Sequence, residues 1–282
     1  MKRDVIRRKA IEPKSSTEGE PDSRDSGVQS VDRALSIIET LAEDDQGYRL
    51  SDLAIRTGLS TSTVHRLLGT LENRRFVQFD RTESKWHVGA RAFTVGATFA
   101  RRRNFSAQAV PYLRKLRDLT RETANLAVVD DEFIIVLTRM ESREIMRSLT
   151  KVGGRVAMVA SGVGKAVLAT YSNEDVSAII HHHGMPRLTE KSIVRPGDLF
   201  KELEKIRRQG FAIDDEEACM GLRCIAAVVY NDCAEPLAAI SVSGMTSRLT
   251  DERLPMLGQM VREMAAELTV ALGGVMPGAK PA

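Results

Sequence analysis

A chain of 282 residues, of which 43% are apolar and 28% are charged, has the composition of a folded protein of about two domains. No apolar run approaches the ~18 residues that a membrane-spanning helix needs, and no apolar segment follows the basic N-terminus as it would in a secretory signal. Three cysteines without a CxxC pair argue against a disulfide framework and a structural zinc site. We therefore expect a cytoplasmic protein with no membrane partner, metal or cofactor.

The first ordered part of the chain predicts a helix-turn-helix. Apolar residues at helical spacing begin near Val31, and a short second helix is expected over Leu50–Thr57, ending at Gly58. Ser60 then caps a third helix that begins at Thr61 and ends near residue 73. Two helices joined by a tight turn with a glycine, the second of them capped, are the signature of this DNA-binding motif.

A wing and a linker follow the motif. The segment FVQFDRTESKWHVG predicts two strands around a polar turn, and a β-hairpin directly after such a helix is typical of a winged helix. Arg91–Arg103 is again helical in pattern and would serve as a linker. The expected organisation is a disordered tail over 1–28, a winged helix-turn-helix domain over 29–90, a linker helix over 91–104, a larger domain over 105–273 and a disordered tail over 274–282.

The larger domain alternates helices and strands, so the predicted fold class is α+β. Helices are expected at 106–124, 161–171, 174–183, 198–209 and 251–271. Strands are expected at 125–130, 132–139, 144–149, 211–214, 223–230 and 236–243. Pro255 favours a start of the last helix a few residues after 251, because proline is best tolerated in the first turn. A domain of this length can hold its own core and a pocket.

The third helix carries the candidate base-reading residues. In a helix-turn-helix, the first residues of the second helix reach base edges in the major groove. Here these residues are Thr61, Ser62, Thr63, His65 and Arg66. The arginine could bind a guanine or a phosphate, and the sequence favours neither; the first hydroxyls could instead only cap the helix.

Basic residues are concentrated around this helix. Residues 50–103 contain ten Lys and Arg against four Asp and Glu, which suits phosphate contacts, although a solvated basic surface has the same composition. In the wing, Arg81 and Lys85 are the expected contacts to the DNA backbone or minor groove. Trp86 is expected to pack beneath the wing rather than touch DNA.

A second group of polar residues lies in apolar surroundings in the larger domain. The segment ASGVGKAVLAT predicts a glycine-rich loop that opens a helix, where free N–H groups of Gly162 and Val163 favour an anion such as a carboxylate. Close helix packing would also explain the glycines. Ser241 and Ser243 alternate along one strand and so share a face, Cys224 lies in another apolar strand, and Asp214 stands at a strand end.

The ordered segments SVDRALSIIETLAE, LSDLAIRTGLSTSTVHRLLGTL, RFVQFD and WHVGARAFTVGATFARRRN resemble the IclR family of bacterial regulators. GGRVAMVASGVGKAVLA, GFAIDDEEACMGLRCIAAVVY and EPLAAISVSG are similar to its effector domain. The resemblance covers about residues 27–273 and is greatest to the branch that regulates isocitrate lyase and responds to glyoxylate and pyruvate. It implies a DNA-binding regulator rather than an enzyme, with a GAF/profilin-like α/β effector domain. The family contains both repressors and activators, so the sign of regulation stays open.

The resemblance also implies a ligand set and an assembly. It places the ligand contacts on Gly162, Val163, Asp214, Leu222, Cys224, Ser241 and Ser243, with Ile145, Ser148 and Val156 lining the pocket. In this arrangement backbone amides and hydroxyls bind the carboxylate, and Asp214 accepts from a hydrated aldehyde or a hydroxyl. The implied partners are palindromic double-stranded operator DNA and further copies of the chain, as a homodimer through the winged-helix and linker segments or as a tetramer of two dimers through the effector domains.

The expected effector is glyoxylate or a related small oxo or hydroxy acid. Ser148 and Val163 depart from the close relative, so regulation of aromatic or sugar-acid catabolism is the alternative. From other classes, a thiol-based redox sensor using Cys219 or Cys224, or a cysteine-dependent enzyme, remains open. A run of histidines is expected to end a helix rather than bind a metal, because consecutive residues do not share a helix face. These are His181, His182 and His183.

Overall fold

The computed structural model describes residues 28–102, 105–130, 133–142 and 151–278. Its contacts divide the chain into two compact units between Ala97 and Thr98. Each unit combines helices with a sheet, which confirms the predicted α+β class. Among the described residues, no helix has both the length and the apolarity needed to cross a membrane.

The N-terminal unit is a winged helix-turn-helix, as predicted. A hairpin of two antiparallel strands follows three helices, and a fourth helix begins in this unit and passes the division between the units. In chain order the elements are α1 (Gln29–Ala42), α2 (Leu50–Thr57), α3 (Thr61–Asn73), β1 (Val77–Asp80), β2 (Lys85–Val88) and α4 (Ala90–Arg102).

The turn between α2 and α3 is fixed by a glycine and a cap. Gly58 ends α2 with φ of 67°, a left-handed conformation that glycine adopts without steric cost. Ser60 begins α3, where its Oγ accepts the N–H of Thr63 at 3.3 Å. Both helices then bury their apolar stripes in one core with α1 and the hairpin. That core contains Ile37, Leu41, Leu53, Val64, Leu68, Val77 and Trp86.

The C-terminal unit is built on a six-stranded antiparallel sheet in the order β5-β4-β3-β8-β7-β6. Its strands are β3 (Thr123–Asp130), β4 (Phe133–Met140), β5 (Arg155–Ala157), β6 (Ala212–Asp215), β7 (Leu222–Tyr230) and β8 (Pro236–Met245). Its helices are α5 (Phe105–Thr120), α6 (Gly162–Leu168), α7 (Asn173–His183), α8 (Pro196–Gln209) and α9 (Leu254–Ala271).

Two apolar cores cover the two faces of this sheet. α5 and α9 contribute to one core, in which Leu116 and Leu268 are fully buried. α6, α7 and α8 contribute to the other, with Leu168, Val176 and Leu203. Because successive residues of a strand point to opposite faces, each central strand supplies side chains to both cores. The amino-acid sequences of these strands are therefore nearly continuous apolar segments.

Some predicted boundaries are wrong, each for a local reason. The helix expected over 106–124 ends at Thr120, because Arg121 adopts φ of 60°, and β3 begins at Thr123. The helix expected over 161–171 ends at Leu168. β5 is missing from the predicted elements, since three residues are too short for a recognisable alternation. The strand expected at 144–149 lies outside the described residues.

The ends of two other helices agree with their sequence signals. α9 begins at Leu254, with Pro255 in its first turn, as the proline predicts. The histidine run ends α7 before Gly184, as predicted, and its three imidazoles are exposed. Beyond α9 lies the segment expected as the second tail. There the N–H of Gly274 donates to Thr269 O at 2.8 Å, and the N–H of Val275 donates to Asn231 O at 2.9 Å. Residues 1–27 of the first predicted tail lie outside the described residues.

Candidate functional site

The first turn of α3 presents polar side chains to solvent. Its opposite face is in the core through Val64 and Leu68. Thr63 is half-buried, and its Oγ1 lies 2.8 Å from the Oγ of Ser60. The exposed candidates for base contact are Thr61, Ser62, His65 and Arg66. The helix can thus offer these side chains to a groove without disturbing the packing that holds it.

The wing is a tight turn that exposes Arg81. Asp80 Oδ1 accepts the N–H groups of Thr82 at 2.7 Å and Glu83 at 3.3 Å, and these bonds hold the pKa of Asp80 below its ordinary value. The Lys85 ammonium lies 3.1 Å from the Glu83 carboxylate. Lys85 must therefore leave an ion pair to contact a phosphate, whereas the exposed Arg81 lies at the tip of the hairpin.

Trp86 packs beneath the wing, as predicted. It is 8% exposed, and its ring centroid lies 4.9 Å from that of Phe79. Its backbone also bridges to Tyr48 through two hydrogen bonds of 3.1 and 2.8 Å. The tryptophan fixes the hairpin against the segment that precedes α2 and is structural.

A cavity of about 340 Å³ lies in the C-terminal unit, on the sheet face that packs against α6. The predicted effector contacts that line it are Val156, Val163, Asp214, Leu222, Cys224, Ser241 and Ser243. Gly162 lies next to its wall, because a Cβ added there would be 3.0 Å from Cys224 O. Ile145 and Ser148 lie outside the described residues. The structure thus brings together candidates from five elements, which are β5, α6, β6, β7 and β8.

Both glycines at the start of α6, Gly162 and Gly164, lie close to neighbouring backbone. A Cβ on Gly164 would lie 2.0 Å from Met158 O, so close backbone packing requires this glycine. Ser161 Oγ caps the helix by accepting the N–H of Gly164 at 3.0 Å. Within the described ranges, the N–H groups of Gly162 and Val163 make no hydrogen bond, and their contact with a ligand stays a prediction.

Asn125 is a cavity residue that the sequence reading missed. It lies on β3 directly opposite Ser241, and its Nδ2 donates to the Oγ atoms of Ser241 and Ser243, each at 3.4 Å. The signal was a single polar residue inside the apolar segment ANLAVV, the same kind of signal that identified the two serines. An amide and two hydroxyls therefore form one polar patch in an apolar wall.

Asp214 is the buried acid of the cavity. It is 6% exposed, and its Oδ1 accepts the N–H groups of Glu217 at 2.7 Å and Ala218 at 3.3 Å. Burial and the nearby Glu217 raise the pKa of Asp214 to about 7, against the opposing effect of Lys165. At neutral pH its protonated and ionised forms are both populated.

Lys165, also missed, is a fully buried cation behind the cavity wall. Its Nζ donates to Ile213 O at 2.7 Å and pairs with the carboxylate of Glu217. Burial raises the pKa of Glu217, which the ammonium opposes. Since a buried charge needs a partner, Lys165 is already compensated by Glu217 and is not a free cation for a ligand.

The setting of Cys224 opposes a reactive thiol. Cys224 pairs across the sheet with Asp214 on one side and Ser243 on the other. Burial, and secondly Asp214, raise the pKa of the Cys224 thiol to about 11. A nucleophilic or redox-active cysteine needs the opposite, an electropositive site that lowers the pKa. Apart from the guanidinium groups of Arg155 and Arg223 in its wall, the cavity therefore offers neutral hydrogen-bonding groups and one titratable acid.

Comparison with known proteins accounts for both units. The model described as "Bacterial transcriptional regulator IclR C-terminal" matches residues 97–270, and "IclR helix-turn-helix domain" matches residues 30–81. The acetate operon repressor of Salmonella typhimurium is 42% identical over 249 residues, which cover 88% of this chain and 91% of that protein. The transcriptional repressor IclR of Escherichia coli is 41% identical over 250 residues, with the same coverage of 88% and 91%.

A solved structure shares the fold. It is an IclR homolog from Microbacterium hydrocarbonoxydans complexed with 4-hydroxybenzoate, and it matches with a TM-score of 0.72 at 22% identity. The match covers 86% of this chain and 98% of that chain. The helix-turn-helix followed by an α/β unit is therefore an architecture already seen in solved structures.

Proposed function

Because the chain belongs to the IclR family of DNA-binding transcriptional regulators, we propose that its cavity binds a small carboxylate, glyoxylate or a related oxo or hydroxy acid, and that this ligand controls operator binding. One observation carries the proposal. Hydroxyls, an amide and unpaired backbone N–H groups converge on one apolar cavity beside a buried acid. Such a site suits a small anion that also carries a polar group.

Arg155 and Arg223 also line the cavity, and both have other contacts, so we propose that neutral donors bind the carboxylate. The guanidinium of Arg223 donates to the carboxylates of Asp215 and Asp251. That of Arg155 lies 4.2 Å from the ring centroid of Phe133. The proposed carboxylate ligands are the N–H groups of Gly162 and Val163 and the hydroxyls of Ser241 and Ser243, with Val156, Leu222 and Cys224 as the surrounding wall.

Calorimetric titration of the purified protein with glyoxylate tests this proposal. Replacing Ser241 and Ser243 together by Ala should reduce the affinity at least about 100-fold, since a hydrogen bond to a charged group contributes ~1.5–3 kcal/mol. Ser177→Ala, on the exposed face of α7, is the matched control and should bind as the unchanged protein does. Unchanged binding by the double variant would move the ligand out of this cavity.

An aromatic acid is the second candidate, favoured by the size of the cavity. A volume of about 340 Å³ is within the range of roughly 300–1,000 Å³ typical of pockets for larger ligands. Its wall includes the apolar side chains of Ile134, Val136 and Leu222. Titration with 4-hydroxybenzoate and pyruvate beside glyoxylate ranks the two ligand classes, and tighter binding of the aromatic acid would replace the first candidate.

We further propose that α3 enters the major groove of a palindromic operator and that the wing contacts the DNA backbone. Thr61, Ser62, Thr63, His65 and Arg66 are the proposed groove residues, with Arg81 and Lys85 in the wing. Fluorescence anisotropy with the DNA upstream of the protein's own gene measures the effect of Arg66→Ala. If Arg66 contacts a phosphate, its loss should lower the magnitude of the slope of log K against log salt by about 1, whatever the DNA sequence. If it contacts a base, its loss should cost ~1–3 kcal/mol of binding free energy and relax specificity at one base pair of the operator. Arg208→Ala, exposed on α8, is the control.

The N-terminal unit exposes apolar surface suited to a second copy of the chain. Phe93 and Val95 of α4 are 78% and 49% exposed, and Val31 and Leu35 of α1 are 55% and 53% exposed. Side chains of this size on two helices favour a protein interface. We propose dimers through these helices and tetramers through the C-terminal units. Sedimentation of Phe93→Asp should show smaller species than the unchanged protein, and an unchanged distribution would exclude α4 from the interface.

A further inference from the structure

We infer that Asn125 determines which way the two cavity hydroxyls point, so that both offer their protons to an anionic ligand. This inference rests on the proposed function, because it assigns a role inside the proposed effector site. It makes Asn125 a positioning residue that selects a hydrogen-bond acceptor, such as a carboxylate, over a donor.

The register of the sheet places the amide between the two serines. β3 lies beside β8, with Asn125 opposite Ser241 and Thr123 opposite Ser243. Because Ser241 and Ser243 are two residues apart, their side chains lie on the same face as that of Asn125. Nδ2 of Asn125 is 3.4 Å from both Oγ atoms. An amide nitrogen has two N–H groups, so one is available for each hydroxyl.

Burial makes the direction of the hydroxyl protons depend on the groups around them. Asn125 is 9% exposed and Ser241 is 1% exposed, so the neighbouring groups rather than bulk water decide where the Ser241 hydroxyl proton points; Ser243 beside them is half-buried. A hydroxyl has one proton and two acceptor lone pairs. When an N–H occupies a lone pair, the proton is left for another acceptor. Cys224, opposite Ser243 on β7, offers only a weakly accepting sulfur, so a carboxylate would capture that proton.

Asn125→Asp reverses the arrangement with little change in shape. A carboxylate only accepts, so the substituted side chain would draw both hydroxyl protons to itself and add a negative charge beside the ligand. Asn125→Ala removes the amide but leaves the hydroxyls free to turn. We expect glyoxylate affinity at pH 7.5 to fall at least about 100-fold in the first variant and only about 3- to 10-fold in the second. Asn173→Asp, exposed at the start of α7, adds the same charge elsewhere and should change nothing.

A double-mutant cycle separates positioning from general support of the fold. If Asn125 acts through the hydroxyls, the loss caused by Asn125→Ala should shrink when Ser243→Ala is already present. A structural role would give additive losses and a lower melting temperature in every background. Circular dichroism shows whether Asn125→Asp folds. If it does not, the cycle of Ala variants still decides whether Asn125 acts through the hydroxyls.

The outcomes distinguish the two proposals. The titrations use glyoxylate, or pyruvate or 4-hydroxybenzoate if the unchanged protein binds one of these more tightly. Saturable binding by the unchanged protein together with unchanged affinity in Asn125→Asp, or additive losses in the Ala cycle, would overturn the role of Asn125 alone. No saturable binding of any of the three acids by the unchanged protein would overturn the proposed effector site, and this inference with it.

Discussion

Binding of a carboxylate in the cavity is expected to weaken as the pH rises above about 7. The bound anion would share the cavity with the carboxylate of Asp214, whose neighbour Glu217 is also buried, while Lys165 is the single buried cation among the described residues. Its ammonium is already engaged by Glu217 and by Ile213 O. An ionised Asp214 would therefore repel the bound anion, an effect that Arg155 and Arg223 in the cavity wall oppose, whereas a protonated Asp214 can donate a hydrogen bond to it.

The size of the effect follows from the pKa of Asp214, which is raised to about 7. If only the protonated form binds, the apparent affinity is proportional to the protonated fraction. That fraction is close to one at pH 6 and falls tenfold per pH unit well above pH 7. The affinity at pH 8.5 should then be about 30-fold lower than at pH 6.

Calorimetry in buffers with different ionisation heats measures both the affinity and the protons taken up. We expect close to one proton per ligand at pH 8.5, and an affinity independent of pH in Asp214→Asn, because the carboxamide stays neutral. Asp232→Asn, in an exposed loop, should keep the full pH dependence. A flat affinity between pH 6 and 8.5 in the unchanged protein would refute the reasoning. Asp214 would then bind as the ionised acceptor that the family resemblance implies.

Three further expectations concern the same buried groups. Because the pKa of Asp214 in the folded protein lies above its ordinary 3.8, this group's contribution to stability is lost as the pH rises from about 4 to 7. Asp214→Asn should therefore raise the free energy of unfolding at pH 8 by up to ~4 kcal/mol and leave it unchanged at pH 4, as measured by urea titration. Lys165→Met should lower the free energy of unfolding by ~3–5 kcal/mol, because Glu217 loses its buried partner. Adding Glu217→Gln to this variant should recover part of the lost free energy. If nothing is recovered, the loss comes from packing rather than from the unpaired charge. Cys224, with its thiol pKa raised to about 11, should react with iodoacetamide at pH 7.5 at least about 100-fold more slowly than in the urea-unfolded chain, and comparable rates by mass spectrometry would reopen the thiol-sensor alternative.

The N-terminal unit could be predicted from sequence because its signals are local. Gly58 and Ser60 mark the turn within three residues, and the apolar period of α3 separates its buried face from its solvent-exposed face. The wing follows from two short strands around a polar turn. Trp86, an aromatic residue in a β-hairpin of a small unit, could be assigned to the core on the same grounds.

The cavity was predictable only in part, because its polar groups meet through pairings between distant segments. The alternation of Ser241 and Ser243 within one strand indicates that they share a face. Their partner Asn125 is 116 residues from Ser241 and contacts it only because β3 pairs with β8 in this register. Lys165 follows a glycine at the start of a helix and looks solvent-exposed in sequence. It is buried because Glu217, 52 residues away, supplies the opposite charge. The local pattern thus identifies candidate ligand contacts, while long-range pairs decide which of them donate, which accept and how much charge the cavity holds. In the proposed site, those pairs together with the contact residues would set the chemical class of the effector.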